Sequence, residues 1–247
     1  MRFEGKCVVV TGASRGIGRV VTIDLIAEGA KVIAVGRNQK DLESTRDMTS
    51  KPDNVDICVA DLRSTEAIDS ITKLVHERGP LDIIMNIAGV WHDDERKFQG
   101  RILSDTPLSE IDDVMGVGLR GSILLTRALL PDLVNRRSGK VLFVACGFAG
   151  AHEASGWVHY YVTNKAIEAL TAGLASELWK YRIQVNCVAP WYVATEAVQR
   201  FYPNDFDTAL DPKEISKMAL FLCSPAAENI SGQTVELRSV KDPQTIE

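Results

Sequence analysis

Residues 7–18 read Cys7-Val8-Val9-Val10-Thr11-Gly12-Ala13-Ser14-Arg15-Gly16-Ile17-Gly18, and this stretch decides the fold. Its β-branched first half is typical of a strand buried on both faces. Three glycines with the spacing GxxxGxG follow, and an amphipathic helical pattern then runs to about Glu28, where Gly29 ends it. A strand, a glycine turn and a helix in this order direct backbone N–H groups and a positive helix end at a pyrophosphate.

We therefore predict a dinucleotide site whose first part is Gly12, Ser14, Arg15, Gly16, Ile17 and Gly18. A plain glycine-rich loop is the alternative. An acidic residue after the second predicted strand, residues 31–36, would bind a free ribose 2′-hydroxyl and select NAD. The chain has Arg37 there, and two guanidinium groups can bind a 2′-phosphate in bidentate geometry. We therefore predict NADP(H) as the cofactor; the alternative is that both arginines are solvated surface charges.

Strand-like and helix-like segments alternate along the rest of the chain. Further strands are predicted at residues 55–60, 81–85, 140–146, 183–188 and 234–237, with helices at 64–78 and 212–224. This alternation implies an α/β fold: a doubly wound, Rossmann-like parallel sheet of seven strands with helices on both faces. No repeat or linker divides the sequence, so we predict a single domain over residues 1–247.

Composition excludes several classes of function. The chain has a net charge of −5, which argues against nucleic acid as a partner. Its five cysteines form no CxxC pair and are predicted to be buried thiols in a reducing cytoplasm. Its four histidines show no metal-ligand spacing, so no metal site is predicted. No signal-peptide core or apolar run of membrane-spanning length is recognised, so no membrane partner is expected.

Tyr161 and Lys165 lie four residues apart, one turn from each other in a predicted helix. A lysine at this distance would stabilise the phenolate and ease proton transfer at neutral pH. The preceding Tyr160 has Asn164 at the same offset, so only Tyr161 has a cationic partner. A surface pair on an amphipathic helix is the alternative.

The motifs of this chain, taken in order, resemble those of the short-chain dehydrogenase/reductase family. Each motif alone is weak evidence, but together they cover nearly the whole sequence at roughly the family's spacing. They are Thr11-Gly12-x-x-x-Gly16-x-Gly18, Asp61-Leu62, Asn86-x-Ala88-Gly89, Tyr161-x-x-x-Lys165 and Pro190-x-x-x-x-Thr195.

The resemblance implies an oxidoreductase whose cofactor lies across the carboxyl ends of the strands. Tyr161 would protonate a carbonyl oxygen as hydride arrives from the nicotinamide, and Lys165 would hold the nicotinamide ribose. Asp61 would meet the adenine, with a helix N-cap as its alternative role. A small-molecule substrate and a homo-oligomer, tetramer or dimer, are also implied. The other cofactor contacts would be Leu62, Asn86, Ala88, Gly89, Pro190, Val193 and Thr195.

Two residues expected from the resemblance are replaced. The family's serine on the fifth strand aligns with Cys146, and its asparagine in the helix after the fourth strand aligns with Gly118. A thiol is a weaker hydrogen-bond donor than a hydroxyl, and glycine offers no side chain. Loss of one such donor typically costs ~10²–10³ in rate. Ser155 could supply a hydroxyl, and Cys146 could act as a nucleophile, although no sequence neighbour activates it.

The substrate end is predicted to be aromatic. Trp191 stands where a glycine is usual and would narrow the nicotinamide end. Residues 196–211 would form a short lid that carries Phe201, Tyr202 and Phe206, and residues 91–107 a charged loop at the mouth. The leading hypothesis is an NADP(H)-dependent reductase of a small or medium carbonyl compound. The alternatives are a biosynthetic reductase of C=C or C=N bonds, or an NADP(H)-binding sensor or partner with little turnover.

Overall fold

The computed structural model describes residues 1–92, 97–147 and 154–241. Residues 93–96, inside the predicted loop at the mouth, lie outside this description. Seven parallel strands form one sheet in the order β3-β2-β1-β4-β5-β6-β7. The strands are β1 (Cys7–Thr11), β2 (Lys31–Gly36), β3 (Val55–Val59), β4 (Ile83–Asn86), β5 (Gly139–Val144), β6 (Ile183–Pro190) and β7 (Thr234–Leu237).

Helices cover both faces of this sheet. One face packs against α3, α5 and α6, the other against α1, α2 and α8. A π-helical turn, Gly116–Gly121, joins α4 to α5. The helices are α1 (Gly16–Ala27), α2 (Gln39–Asp47), α3 (Thr65–Arg78), α4 (Leu108–Met115), α5 (Ser122–Arg136), α6 (Val158–Leu178), α7 (Glu196–Phe201) and α8 (Pro212–Cys223).

Strand β1 shows why the sheet needs both layers. Val9 belongs to the core under α3, α5 and α6, whereas Val8 and Val10 belong to the core under α1 and α8. Alternate side chains of a strand point to opposite faces, so an unbroken valine run needs apolar cover on both. The predicted doubly wound sheet is confirmed. Its connections reverse direction between β1 and β4, which opens a crevice at the carboxyl ends of these strands.

The continuous helical rod from Leu108 to Arg136 is long and apolar enough to cross a membrane, by length and composition alone. The sequence analysis had recognised no segment of that length. Leu125, Leu129 and Leu133 on this rod are fully buried in the core beneath the sheet. The rod therefore serves as a core helix of the described fold.

Candidate active site

A cavity of about 830 Å³ opens at the carboxyl ends of the central strands. Three residues of the predicted cofactor set, Gly16, Asn86 and Lys165, are absent from its lining. Asn86 is buried and donates its amide to Thr126 Oγ1 at 3.0 Å, so it ties β4 to α5. The predicted cofactor-binding residues that do line the cavity are Gly12, Ser14, Arg15, Ile17, Gly18, Arg37, Asp61, Leu62, Ala88, Gly89, Pro190, Val193 and Thr195.

The glycine turn after β1 lies so close to its neighbours that side chains are excluded. Gly12 has φ +70°, and a Cβ there would lie 3.0 Å from Ala88 Cα. A Cβ on Gly18 would lie 2.2 Å from the carbonyl oxygen of Gly12. Thr11 Oγ1 joins the turn to the end of β4, because it accepts hydrogen bonds from the N–H groups of Ile87 and Ala88, each at 3.0 Å. Only glycine fits at these two positions, and we call this tight backbone turn at the start of α1 the cradle.

Charged groups surround the end of the cavity formed by β2 and β3. Arg15 and Arg37 are exposed residues of its lining. Arg63 Nε and Nη2 donate to the carboxylate of Asp61 at 3.1 and 2.6 Å. These hydrogen bonds lower the pKa of Asp61, and the nearby charge of Arg37 adds a smaller contribution. Asp61 is therefore an anchored carboxylate in the cavity wall, held by Arg63.

Glu196, the first residue of α7, places a carboxylate on the amino end of α1. Its Oε2 accepts the backbone N–H of Gly16 at 3.1 Å, and its Oε1 accepts Arg19 Nη1 at 3.1 Å. An anion thus occupies the position where the glycine turn predicts a pyrophosphate. The sequence analysis missed this residue, because Gly16 and Glu196 are 180 residues apart in the chain.

Of the adjacent residues Tyr160 and Tyr161, Tyr160 lines the cavity and Tyr161 does not. Asn164 lines it as well, whereas Tyr161 and Lys165 do not. Lys165 Nζ pairs with Glu168 Oε1 at 2.8 Å and lies 6.0 Å from the centre of the Tyr161 ring. The cavity lining thus contains Tyr160 with Asn164 one turn later, while the predicted catalytic role of Tyr161 and Lys165 stays a prediction.

The periodicity of α6 explains why Tyr160 rather than Tyr161 lines the cavity. Its buried positions include Thr163, Ile167, Thr171 and Ala175, three or four residues apart. Tyr160 continues this face towards the start of the helix, whereas each neighbouring residue is rotated by about 100° around the axis. The apolar pattern after residue 165 thus carried a signal that the sequence analysis did not use.

Tyr160 is held in its protonated form. Burial raises the pKa of Tyr160 well above its ordinary value, and a hydrogen bond with Cys146 raises it further, while one with Asn164 lowers it in part. The Asn164 amide also donates to the Tyr160 carbonyl oxygen at 2.8 Å. An amide is neutral, so it cannot stabilise a phenolate as an ammonium group does.

The two positions expected from the resemblance to be replaced, Cys146 and Gly118, both line the cavity, as does Ser155. The Cys146 Sγ lies 3.6 Å from the carbonyl oxygen of Gly147. A Cβ on Gly118 would lie 3.0 Å from Thr163 Cγ2, so a larger side chain there would displace Thr163. The cavity thus has a thiol and a glycine at the two positions where a hydroxyl and an amide were expected, while Ser155 and Asn164 supply other polar side chains to its lining.

The opposite end of the cavity is formed by an aromatic cluster. Trp91 stacks on Tyr202 with ring centres 5.0 Å apart, and His92 meets the Phe201 ring edge-on at 5.0 Å. The lid therefore contributes two of its three predicted aromatic residues to the lining; Phe206 is not part of it. We define the aromatic cluster as Trp91, His92, Trp157, Tyr192, Phe201 and Tyr202.

Trp191 lies in the cavity wall beside the end of β5. A Cβ on Gly147 would lie 2.4 Å from Trp191 Cδ1, so the indole requires glycine at that position. The Arg238 guanidinium lies 4.0 Å from the centre of the Trp191 ring and makes a cation–π contact with it. The indole therefore occupies space at the strand ends, where the sequence predicted a narrowing.

Comparison with known proteins identifies the same fold and family signature. Residues 6–205 match the short chain dehydrogenase family. An uncharacterized oxidoreductase of Staphylococcus aureus (strain MW2) is 30% identical over 232 residues, 93% of this chain and 96% of that protein. The 3-oxoacyl-[acyl-carrier-protein] reductase of Thermotoga maritima is 28% identical over 246 residues, 95% of this chain and 97% of that protein. The crystal structure of a 3-ketoacyl-(acyl-carrier-protein) reductase from Brucella melitensis with NADH has a TM-score of 0.86 at 26% identity, covering 96% and 98% of the two chains.

Proposed function

The chain belongs to the short-chain dehydrogenase family of oxidoreductases, and from this premise we propose that it reduces a small or medium carbonyl compound with NADP(H). The observation that carries the proposal is the position of Tyr160. It lines one cavity together with the glycine turn on one side and the aromatic cluster on the other. A proton donor between a cofactor cradle and an apolar pocket is the arrangement that carbonyl reduction needs.

The cavity residues fit a dinucleotide. A Cβ on Gly12 or Gly18 would collide with backbone atoms, so the cradle requires glycine there, and the amino end of α1 already receives an anion from Glu196. Arg15 and Arg37 would bind the 2′-phosphate of NADP(H). When bound, the reduced nicotinamide would supply a hydride to the carbonyl carbon.

Tyr160 would supply the matching proton to the carbonyl oxygen. Its raised pKa keeps the hydroxyl protonated at neutral pH, which suits donation. The reverse reaction needs the phenolate, and Asn164 offers no charge to stabilise it. We therefore propose reduction as the favoured direction, with Asn164 available to hydrogen-bond a ribose hydroxyl.

A second candidate is an NADP(H)-binding protein with little turnover, acting as a sensor or partner. The neutral amide of Asn164 one turn after Tyr160 favours it, as do Cys146 and Gly118 at positions where donors were expected. Both candidates share the cofactor site.

We also propose that the protein is cytoplasmic and that it forms a homo-oligomer, tetramer or dimer. The exposed apolar side chains of α4, α5 and α6 support the oligomer.

One experiment tests the proposal and separates the candidates. NADPH and NADH are titrated by calorimetry, and ketones, enones and imines are screened by loss of NADPH absorbance. We expect NADPH to bind at least tenfold more tightly than NADH, and Tyr160→Phe to lower turnover about a hundredfold or more. Tyr161→Phe is the matched control and should keep the activity.

Loss of activity in Tyr161→Phe but not in Tyr160→Phe would assign the role of proton donor to Tyr161, the residue expected from sequence. Tight NADPH binding without turnover of any compound above the Tyr160→Phe level would favour the binding protein. Equal affinities for the two cofactors would refute NADP(H) selectivity.

A further inference from the structure

His92 is a buried histidine of the cavity wall whose tautomer follows from its surroundings. The backbone N–H of Phe98 donates to His92 Nδ1 at 3.1 Å, so Nδ1 carries a lone pair. Burial, with the nearby charge of Lys97, lowers the pKa of His92 to about 4, and the ring is neutral at pH 7. A neutral imidazole that accepts at Nδ1 carries its proton on Nε2.

The Nε2–H group of His92 is an unsatisfied donor. Nε2 is buried, and it has no hydrogen-bond partner in the described part of the chain. His92 as a whole is only 9% exposed, so bulk water does not satisfy the group. Buried donors are normally paired, and an unpaired one in a cavity wall marks a position where a ligand acceptor is favourable.

Aromatic rings surround this donor. Trp91 stacks on the imidazole at 4.3 Å, Phe201 and Tyr202 lie at 5.0 and 5.5 Å, and Trp157 meets it edge-on at 5.9 Å. Flat ring systems pack favourably between such faces and edges. The rings therefore pack directly on the imidazole, and a planar ligand that displaces Phe201 or Tyr202 would meet the same flat faces beside Nε2–H; we call this position the slot.

The slot and the cofactor end of the cavity differ in the charged residues that surround them. In the described lining, the acidic side chains are Asp61 and Glu196, at the strand ends and on the amino end of α1. Two basic groups lie against the aromatic cluster: Lys97 Nζ is 3.7 Å from the Tyr202 ring centre, and the Arg200 guanidinium is 5.1 Å from the Phe201 ring centre. The aromatic cluster itself carries no ionised group at pH 7. An uncharged ring is the ligand that such a surface accepts without desolvating a charge.

We propose that the aromatic cluster and His92 select a planar ring ketone that carries a second oxygen on the edge remote from its reacting carbonyl. The remote oxygen would accept the Nε2–H of His92, and the reacting carbonyl would face Tyr160. This substrate class rests on the proposed reductase function. Phe201 and Tyr202 cover His92, so the lid must open to admit the ring.

The reaction balances without another reagent. The carbonyl carbon gains the hydride of NADPH, and the carbonyl oxygen gains the Tyr160 proton. The products are the ring alcohol and NADP⁺, and solvent returns the proton to Tyr160. His92 keeps its proton throughout, so it acts as a selecting residue and not as an acid.

A matched pair of probes tests the role of His92. Alpha-tetralone has one oxygen, and a hydroxytetralone with its hydroxyl on the aromatic ring, remote from the carbonyl, adds the second; decanone is the flexible control with as many carbons. Binding is followed by quenching of tryptophan fluorescence, with and without NADP⁺, so the readout does not depend on turnover. The variants are His92→Phe, which keeps a ring but removes the donor, and His92→Gln, which keeps an N–H donor.

We expect the wild type to bind the hydroxytetralone about tenfold more tightly than tetralone, and tetralone more tightly than decanone. His92→Phe should remove the preference for the second oxygen while keeping tetralone affinity within about twofold. His92→Gln should restore part of the preference. His76→Phe, the same substitution at an exposed histidine of α3, should change none of these affinities.

Equal affinity of the wild type for both tetralones, or an equal loss for both in His92→Phe, would overturn the inference. Weak tetralone binding by a protein that binds NADPH tightly and reduces other ketones would also overturn it, while leaving the proposed function intact. A preference for the second oxygen that depends on His92, in a protein that does not bind NADPH, would support the slot and refute the proposed function.

Discussion

One residue of register along α6 changes the chemistry expected of the cavity. The pair predicted from sequence, Tyr161 and Lys165, would place a cation beside the phenol and make proton transfer reversible. With Tyr160 and Asn164, the phenol is buried beside a neutral amide, and its pKa is raised. The group remains a proton donor, but it loses the electrostatic assistance that would make it a good base at neutral pH.

The pH dependence of turnover follows from this residue. Because the folded pKa of Tyr160 is raised, its hydroxyl stays protonated below about pH 10, its ordinary value, and the rate of ketone reduction should be flat from about pH 6 to 9. Oxidation of the product alcohol needs the phenolate and should rise about tenfold per pH unit over the same range. Steady-state rates in both directions test this prediction. A reduction rate that already decreases between about pH 6 and 9 would contradict it.

The substitution Asn164→Lys should place a positive charge one turn after Tyr160 on α6. We expect reduction of a simple ketone to rise about tenfold or more, because the cation stabilises the phenolate as the proton leaves. Asn164→Met is the control for size without charge and should give no gain. An equal effect of both substitutions would show that volume, and not charge, limits turnover.

At the scale of elements, α7 lies where it can compete with a cofactor. Its first residue, Glu196, bridges Gly16 and Arg19 of α1, and its last residues close the aromatic cluster. Lys97 strengthens this closure, since its ammonium group lies 3.7 Å from the Tyr202 ring centre and donates to the Phe201 carbonyl oxygen at 3.0 Å. One short helix thus covers both ends of the cavity.

Glu196→Gln should strengthen NADPH binding. Its carboxylate occupies the amino end of α1, so a pyrophosphate must displace it or lie beside a like charge. The side chain is partly exposed, so we expect a modest gain of about threefold in affinity, which shrinks at high salt. Glu214→Gln, at the start of α8, is the control. Calorimetry that shows weaker NADPH binding in Glu196→Gln would mean that the carboxylate supports the site instead.

At the scale of the whole molecule, the cavity occupies one edge of the sheet, and exposed apolar side chains lie on the helices of one layer. Leu108, Ile123, Val158 and Val162 are all exposed on α4, α5 and α6. The same rod that could cross a membrane by composition is buried against the sheet on one side and exposed on the other. Such a half-covered apolar layer is typical of a surface that meets another subunit.

Light scattering should therefore report a dimer or tetramer. Val162→Glu, in the middle of this surface, should shift the mass towards the monomer, because it places a charge in an apolar contact. Val240→Glu changes an even more exposed valine on the carboxyl-terminal segment and should leave the mass unchanged. A monomeric wild type would contradict the proposed oligomer.

The sequence by itself determined the sheet, the order of its elements and the cofactor cradle. These features depend on local patterns: an unbroken valine strand needs cover on both faces, and the spacing of Gly12, Gly16 and Gly18 allows a tight turn at a helix start. They can therefore be recognised without knowing what packs against them. The matching family and structural neighbours bear out the predicted fold, while the role of the cradle in cofactor binding stays a prediction.

Only the tertiary structure decided which side chains meet in the cavity. A helix turns by about 100° per residue, so the choice between Tyr160 and Tyr161 depended on the face that α6 presents to the sheet. Glu196 reaches Gly16, and Phe201 reaches His92, across long separations that no local pattern encodes. The tautomer of His92 likewise depends on one hydrogen bond from the Phe98 backbone. Local patterns define the elements, whereas the relative orientation of packed elements defines the chemistry between them.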